Sequence, residues 1–207
     1  MEHRFIRARQ PVHKEMRRRA ILEAASALAC EGRVEDITLH LIASRVQLAK
    51  SNLYRYFENR EHIFLIVMLE DWGKWVNKLE HLLLDKGTKI ERESSVASIL
   101  AESFRKEARL CDLVCLLYPV LLPSLSKEAR LRFENEFAVY EQRTSRALRR
   151  GLPTYSQTER AILLRFMVVA IVGLWPMRER DENQFVGELA HNLQTHIRGL
   201  APESGTA

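Results

Sequence analysis

Glycine and proline are scarce in this chain, with 8 Gly and 6 Pro among 207 residues. Folds built from many short strands need turn residues about every ten positions. That scarcity, with few alternating β-branched runs, points to an all-α chain. Cysteine is scarcer still; three are too few and too odd a number for a disulfide framework and fit a reducing cytoplasm. No uninterrupted apolar run reaches the roughly 20 residues that span a bilayer, so no membrane partner is expected. The opening MEHRFIRARQ lacks the apolar core of a signal peptide, and no export is expected. A Gly-rich phosphate loop and a G-x-S-x-G elbow are missing. His3, His13, His40, His62, His81, His191 and His196 show no metal-ligand spacing with Cys or carboxylates. The expectation is therefore no enzyme, no metal and no cofactor.

What is present is a helical protein with enough apolar material for a real core, at 46% hydrophobic and 29% charged residues. The charge is unevenly placed. Residues 1–60 hold 12 Lys and Arg against 7 Asp and Glu, whereas the rest balances at 20 of each. The whole net charge of +5 lies in the first 60 residues. Such a field suits a polyanion, because phosphate neutralisation supplies most non-specific affinity.

Within that segment, TLHLIASRVQLAKSNLYRYF over residues 38–57 reads as two short helices with a tight break. Leu39, Ile42, Ala43 and Val46 recur at i, i+3, i+4 and i+7, giving an apolar face. Thr38 offers a hydroxyl to cap the first helix start. Leu53 and Phe57 anchor the second inward, leaving Lys50, Ser51, Asn52, Tyr54 and Arg55 outward. A short helix pinned in this way fits the DNA major groove. Lys50, Ser51 and Asn52 stand where base edges come closest, and Asn can bond adenine bidentately; the alternative is contact with phosphates only. A preceding helix, His13 to Glu31, carries Ile21, Ala24, Ala25 and Leu28 as an inward stripe and is closed by Gly32.

Thr38, Ile42-Ala43, Lys50, Leu53-Tyr54-Arg55-Tyr56-Phe57 and Arg60-Glu61, in this order and spacing, resemble the TetR family of transcriptional regulators. The resemblance covers roughly the first 65 residues, with only helical pattern shared beyond them. It implies a three-helix helix-turn-helix head joined to a larger ligand-binding and dimerisation domain, about nine helices in all. It also implies phosphate contacts from Tyr54 and Tyr56, a phosphate contact from Thr38 besides its cap, and a backbone contact from Arg60. Two positions depart from the pattern. Gln47 stands where the family has Gly in the turn, at a steric cost, and Ala49 replaces the Ser or Thr that would cap the second helix.

The expected organisation is a basic arm over 1–12, with Arg4, Arg7 and Arg9 either reaching a minor groove or disordered. The DNA-binding domain follows over 13–60, then the effector-binding and dimerisation domain over 61–201 and a disordered tail over 202–207. In the larger domain a helix over 61–84 contains Gly73, which marks a bend or a close contact. A loop over Asp85 to Lys89 follows, and then a helix from Ser94 to about Ala108. An apolar helix over Leu110 to Leu122 is limited by Pro119 and Pro123, and Cys111 and Cys115 on one of its faces read as buried hydrophobes or as a thiol sensor. Ser126 caps a helix to Arg150, Ser156 opens one through Gly173, and Asn183 starts the last. Thr158 to Trp175 is apolar nearly all round, and Phe185, Leu189, Leu193 and Ile197 repeat every four residues. Those two helices either form a four-helix bundle with a two-fold copy or complete the subunit core.

By resemblance, the middle of the chain holds a small-molecule pocket. Its candidate lining is Trp72, Trp75, Phe104, Tyr118, Phe137, Tyr140, Phe166 and Trp175, each otherwise plain core. The expected ligand is mostly apolar, because no clustered basic residues stand out to bind an anion there. A cation is the alternative should Asp71, Glu102 or Asp112 face inward. The function expected is a ligand-responsive, sequence-specific DNA-binding transcriptional regulator: a homodimeric repressor released from duplex DNA by a small, mostly apolar effector. The alternative is a helical dimeric interaction protein of the same shape without sequence-specific DNA binding.

Overall fold

The computed structural model describes residues 2–83, 89–178 and 182–201, and side chains over 12–83, 93–178 and 183–201. Among the described residues there are nine α-helices and no strand. They fall into two compact units, Met1–Met68 with Leu117–Arg130, and Leu69–Leu116 with Leu131–Ala207.

The first unit contains α1 (Glu2–Glu31), α2 (Leu39–Arg45), α3 (Lys50–Leu53) and the start of α4 (Arg60–Leu82). The arm expected over 1–12 is replaced by helix, since α1 starts at Glu2 and passes through Pro11. Ala8, Gln10 and the arginines are good helix formers, and Pro11 removes one backbone donor without ending the run. The side chains of Arg4, Arg7 and Arg9 lie outside the described residues. Ile21 and Ala25 of α1, Ile42 and Ala43 of α2, and Leu53 and Phe57 around α3 are all buried. Asn59 caps α4, its Oδ1 accepting from the His62 N–H at 2.8 Å.

Residues 117–130, expected from sequence within the larger domain, cluster with the first unit by contacts. The reason is polar. Asn59 Nδ2 donates to the Ser124 carbonyl at 2.6 Å, and Ser126 Oγ donates to Glu58 Oε1 at 2.7 Å. A π-helical turn at Leu117–Leu121 and a 3₁₀ turn at Leu122–Ser124 stand where an α-helix to Leu122 was expected. Pro119 lacks the N–H that a regular helix would use there.

The second unit holds the rest of α4, α5 (Lys89–Phe104), α6 (Ala108–Leu116), most of α7 (Lys127–Gly151), α8 (Gln157–Leu174) and α9 (Glu182–Leu200). The expected loop falls mostly on residues 84–88, outside the described residues, and α5 starts at Lys89 rather than Ser94. Ser156 opens α8 through a reciprocal capping box, in which Glu159 N–H donates to Ser156 Oγ at 3.2 Å and Ser156 N–H to Glu159 Oε2 at 2.5 Å.

Phe185, Leu189, Leu193 and Ile197 of α9 are each at most 3% exposed, and α9 packs on α5 and α8 of its own chain. Of the two readings of that stripe, this packing matches completion of the subunit core; period alone shows that a face is buried, not which chain buries it. Gln157–Met177 is long and apolar enough to cross a membrane by length and composition, with mean hydropathy 1.7, although no uninterrupted run of that length exists. Leu163, Leu164, Met167 and Ile171 are its core face, packed toward α6 and α9, while Val169 is 67% exposed.

Candidate nucleic-acid interface

The turn between α2 and α3 is built on a strained residue. Gln47 sits at φ 53°, in the left-handed region. Around it the Leu48 N–H donates to the Ala43 carbonyl at 2.9 Å and the Gln47 N–H to the Ser44 carbonyl at 3.1 Å. This is the helix-closing pattern that usually employs glycine, and a side chain there costs about 1 kcal/mol. Ala49 takes the cap position of α3 with no side-chain hydrogen bond. Thr38, by contrast, caps α2, its Oγ1 accepting from the Leu41 N–H at 3.2 Å.

Lys50, Ser51, Asn52, Tyr54 and Arg55 are exposed around α3 while Leu53 and Phe57 are buried beneath them. Tyr54 is 55% exposed and Tyr56 half-buried. α3 is shorter than expected. Regular helix ends at Leu53, and Tyr54 to Tyr56 form a turn whose Arg55 N–H donates to Asn52 O and Phe57 N–H to Leu53 O. Arg45 holds α2 to α1 through two bonds to Glu31, at 2.9 and 2.7 Å, and the pairing pulls the Glu31 carboxyl below its ordinary range. The Arg18 guanidinium lies 5.4 Å from the Phe57 ring centroid, bracing the residue that seats α3.

Arg60 stands differently from the phosphate contact implied by resemblance. Its Nη1 donates to the carbonyls of Val34, Glu35 and Ile37 at 3.3, 2.9 and 3.0 Å, and its Nε to Glu61 Oε1 at 3.0 Å. With most donors so engaged and a side chain only 21% exposed, it ties α4 to the segment before α2.

In the second unit, several residues read as pocket lining do converge. Trp72 meets Trp75 edge-on at 5.3 Å and Phe137 at 5.2 Å, and Trp75 stacks on Phe104 at 4.7 Å. Tyr140 closes on Gly73, where an added Cβ would stand 2.8 Å from its ring, so this glycine marks a close contact. Phe166 stacks instead on His196, and Trp175 meets Phe185 while its Nε1 donates to Asp112. Tyr118 is 63% exposed and falls in the first unit. Phe133, stacked on Phe137 at 5.5 Å, joins the cluster and was missed by the sequence reading, although it precedes Phe137 by one helical turn. Most of these rings are satisfied by one another. Two polar ring atoms, Trp72 Nε1 and His196 Nε2, are buried without a hydrogen-bond partner, and of these Trp72 belongs to the aromatic cluster.

The acids weighed for a cation are all engaged. Asp71 accepts from Arg109 at 2.6 and 2.8 Å and from Lys74 at 3.1 Å. Burial pushes its carboxyl up, but Arg109 and Lys74 overcome this and leave it below its ordinary value. Glu102 pairs with Arg105, and Asp112 accepts from Trp175 and Arg178. Cys111 is buried, with burial first and then the nearby Cys115 pushing its thiol well up, the behaviour of a packed hydrophobe. Basic residues do cluster here, against expectation: Arg143, Arg146 and Arg150 share one side of α7 and line a cavity with Glu80 and Ala147. Among the described residues, no group of His, Cys, Asp or Glu could hold a metal ion.

Residues 21–67 match the family of bacterial regulatory proteins, tetR family, and residues 69–184 match the tetracyclin repressor-like C-terminal domain. The chain is similar to the HTH-type transcriptional repressor KstR of Mycobacterium tuberculosis, at 23% identity over 191 residues, covering 92% of this chain and 83% of that protein. Among solved structures, a TetR transcriptional regulator from Rhodococcus sp. RHA1 superposes with TM-score 0.63 at 16% identity, over 92% of this chain and 100% of that one. The regulator FadR from Bacillus subtilis in complex with stearoyl-CoA superposes with TM-score 0.58 at 18% identity, over 87% of this chain and 97% of that one.

Proposed function

The chain belongs to the TetR family of bacterial regulatory proteins, and from that premise we propose that it is a homodimeric repressor that binds operator DNA and responds to a small molecule. The observation that carries the DNA half is the exposed row Lys50, Ser51, Asn52, Tyr54 and Arg55, seated on buried Leu53 and Phe57. It lies in the segment that holds all of the net positive charge. Lys50, Ser51 and Asn52 face base edges, and Thr38, Tyr54 and Tyr56 contact phosphates. Arg60 supports the head from behind. The head spans residues 13–60, and residues 61–201 carry effector binding and dimerisation.

Two heads reading two half-sites require two-fold symmetry, and the outward face of α8, with Ile162, Val169 and Val172 exposed, offers an apolar seam. KstR is a repressor and FadR of Bacillus subtilis has been solved with stearoyl-CoA, which supports repression relieved by an apolar or amphipathic effector. The unpartnered Trp72 Nε1 supports a ligand in the aromatic cluster, one that brings an acceptor oxygen. The effector shifts the dimer by binding one geometry better than the other, with α4 as lever. Such a protein works in the cytoplasm beside its DNA.

The test is fluorescence anisotropy with promoter DNA from beside its own gene against random duplex, across a salt series. The expected preference is about a thousandfold or more. A ratio near unity returns the chain to a helical interaction protein without sequence-specific binding.

A further inference from the structure

Arg143, Arg146 and Arg150 line a cavity of about 250 Å³ with Glu80 of α4 and Ala147. Arg143 Nη2 donates to Asn77 Oδ1 at 2.6 Å and to Glu80 Oε2 at 3.0 Å, and Arg150 Nη1 donates to the Glu80 carbonyl at 2.6 Å. Those bonds fix two guanidinium groups and close the end of α4, which is a sufficient structural role for them. Arg146 is exposed and takes no part in these bonds. Three guanidinium charges face one carboxylate across a space no side chain fills. Planar N–H forks held in this way match phosphate oxygens, which they bond in pairs.

The position along α7 adds a second argument. Phe133, Phe137, Tyr140 and Ala147 form one row, beginning in the aromatic cluster and passing the Gly73–Tyr140 contact. The arginines flank that row at its C-terminal end. One helix thus offers rings at one end and cations at the other.

We propose that the arginine cavity binds the phosphate groups of an amphipathic small-molecule effector, whose apolar portion lies toward the aromatic cluster. This rests on the ligand-responsive reading above and narrows it to a soluble amphipathic molecule with an apolar portion and a phosphate-containing head. The mostly apolar effector expected from sequence would here carry a phosphate-containing head.

The experiment is isothermal titration of the full-length protein, wild type and Arg146→Gln, with inorganic pyrophosphate, coenzyme A, stearoyl-CoA and sodium stearate. Vesicles of phosphatidylglycerol form a fifth arm. The expected result is salt-sensitive binding of at least one soluble phosphate probe, weakened about tenfold in Arg146→Gln, with any stearate binding unchanged. Arg146 makes none of the helix-fixing bonds above, so the variant is expected to keep the wild-type melting temperature. The proposal is overturned if no phosphate probe binds, if Arg146→Gln binds them all as wild type does, or if only vesicles bind. Loss of operator affinity in Arg146→Gln without any phosphate ligand overturns it too, by making the cavity a DNA contact. The two readings fail separately. An operator preference near unity sinks the regulator, while specific DNA binding without phosphate binding sinks only this cavity.

Discussion

Replacing Arg60 by methionine separates a structural tie from a DNA contact. Its Nη1 reaches the carbonyls of Val34, Glu35 and Ile37 within 3.3 Å, but carries only two hydrogens, so the three contacts count as two bonds. A hydrogen bond from a charged donor contributes about 1.5–3 kcal/mol. The side chain is 21% exposed, and water can serve the freed carbonyls, which brings the expected loss to about 2 kcal/mol. In a protein of this size that lowers the melting temperature by about 4–8 °C. Methionine keeps the aliphatic stem, so packing changes little. The second measurement is the salt dependence of operator affinity. A lost phosphate contact reduces the slope of log K against log salt by about 1, whereas a lost internal tie leaves the slope alone. The expected outcome is reduced melting temperature with unchanged slope. An unchanged melting temperature with a reduced slope would refute the structural assignment and restore the contact implied by resemblance.

Ala49→Ser supplies the missing cap of α3 and is expected to add about 1 kcal/mol, read as a higher urea midpoint; no shift would show that this turn is held by other means. Tyr54→Ala removes a largely exposed side chain, so unfolding is expected to move by less than about 0.5 kcal/mol while operator affinity falls at least about tenfold; equal affinity removes Tyr54 from the interface. Gly73→Ala puts a Cβ 2.8 Å from the Tyr140 ring. It is expected to destabilise the wild type by about 1 kcal/mol but to stabilise a Tyr140→Ala background, where only helix propensity remains; the same sign in both rejects the close-contact account. Asp71 has a carboxyl held below its ordinary value in the folded chain, so its contribution is present above about pH 4 and lost as pH falls toward the lower folded value. The stability gap between wild type and Asp71→Asn is expected to shrink on acidification below pH about 4 in urea titrations; a constant gap contradicts the pairing with Arg109.

The features legible in the sequence are those whose partners lie within a turn or two. Thr38 capping α2, Ser156 opening α8, and Leu53 with Phe57 seating α3 all follow from spacing, and all are present. Gln47 at a glycine position announced its left-handed backbone. The features that escaped depend on distant chain segments. The bonds of Arg60 reach back 23 to 26 residues, and those of Glu58 and Asn59 reach forward 65 to 68, drawing residues 117–130 into the first unit. The arginines of α7 stand at i, i+3 and i+7, a spacing the sequence reading passed over, and α4 turns that row into a cavity. Likewise, the four-residue period of α9 was plain, while its partners α5 and α8 were not.

The left-handed Gln47 and the uncapped Ala49 stand directly before the element proposed to read DNA. Gln47 holds a left-handed backbone at a cost of about 1 kcal/mol, and Ala49 forgoes a cap of similar worth. Regular helix in α3 then lasts only from Lys50 to Leu53. Nucleation theory gives so short a helix no stability of its own, so its order comes from burying Leu53 and Phe57 and from the Arg45–Glu31 clamp on the preceding helix. An element held from beneath but loosely closed at its start is expected to lose order readily when its turn is weakened further. Part of the binding free energy is spent on ordering it. Mutations at residues 47 and 49 should therefore change operator affinity without touching DNA, and in the same direction as they change stability.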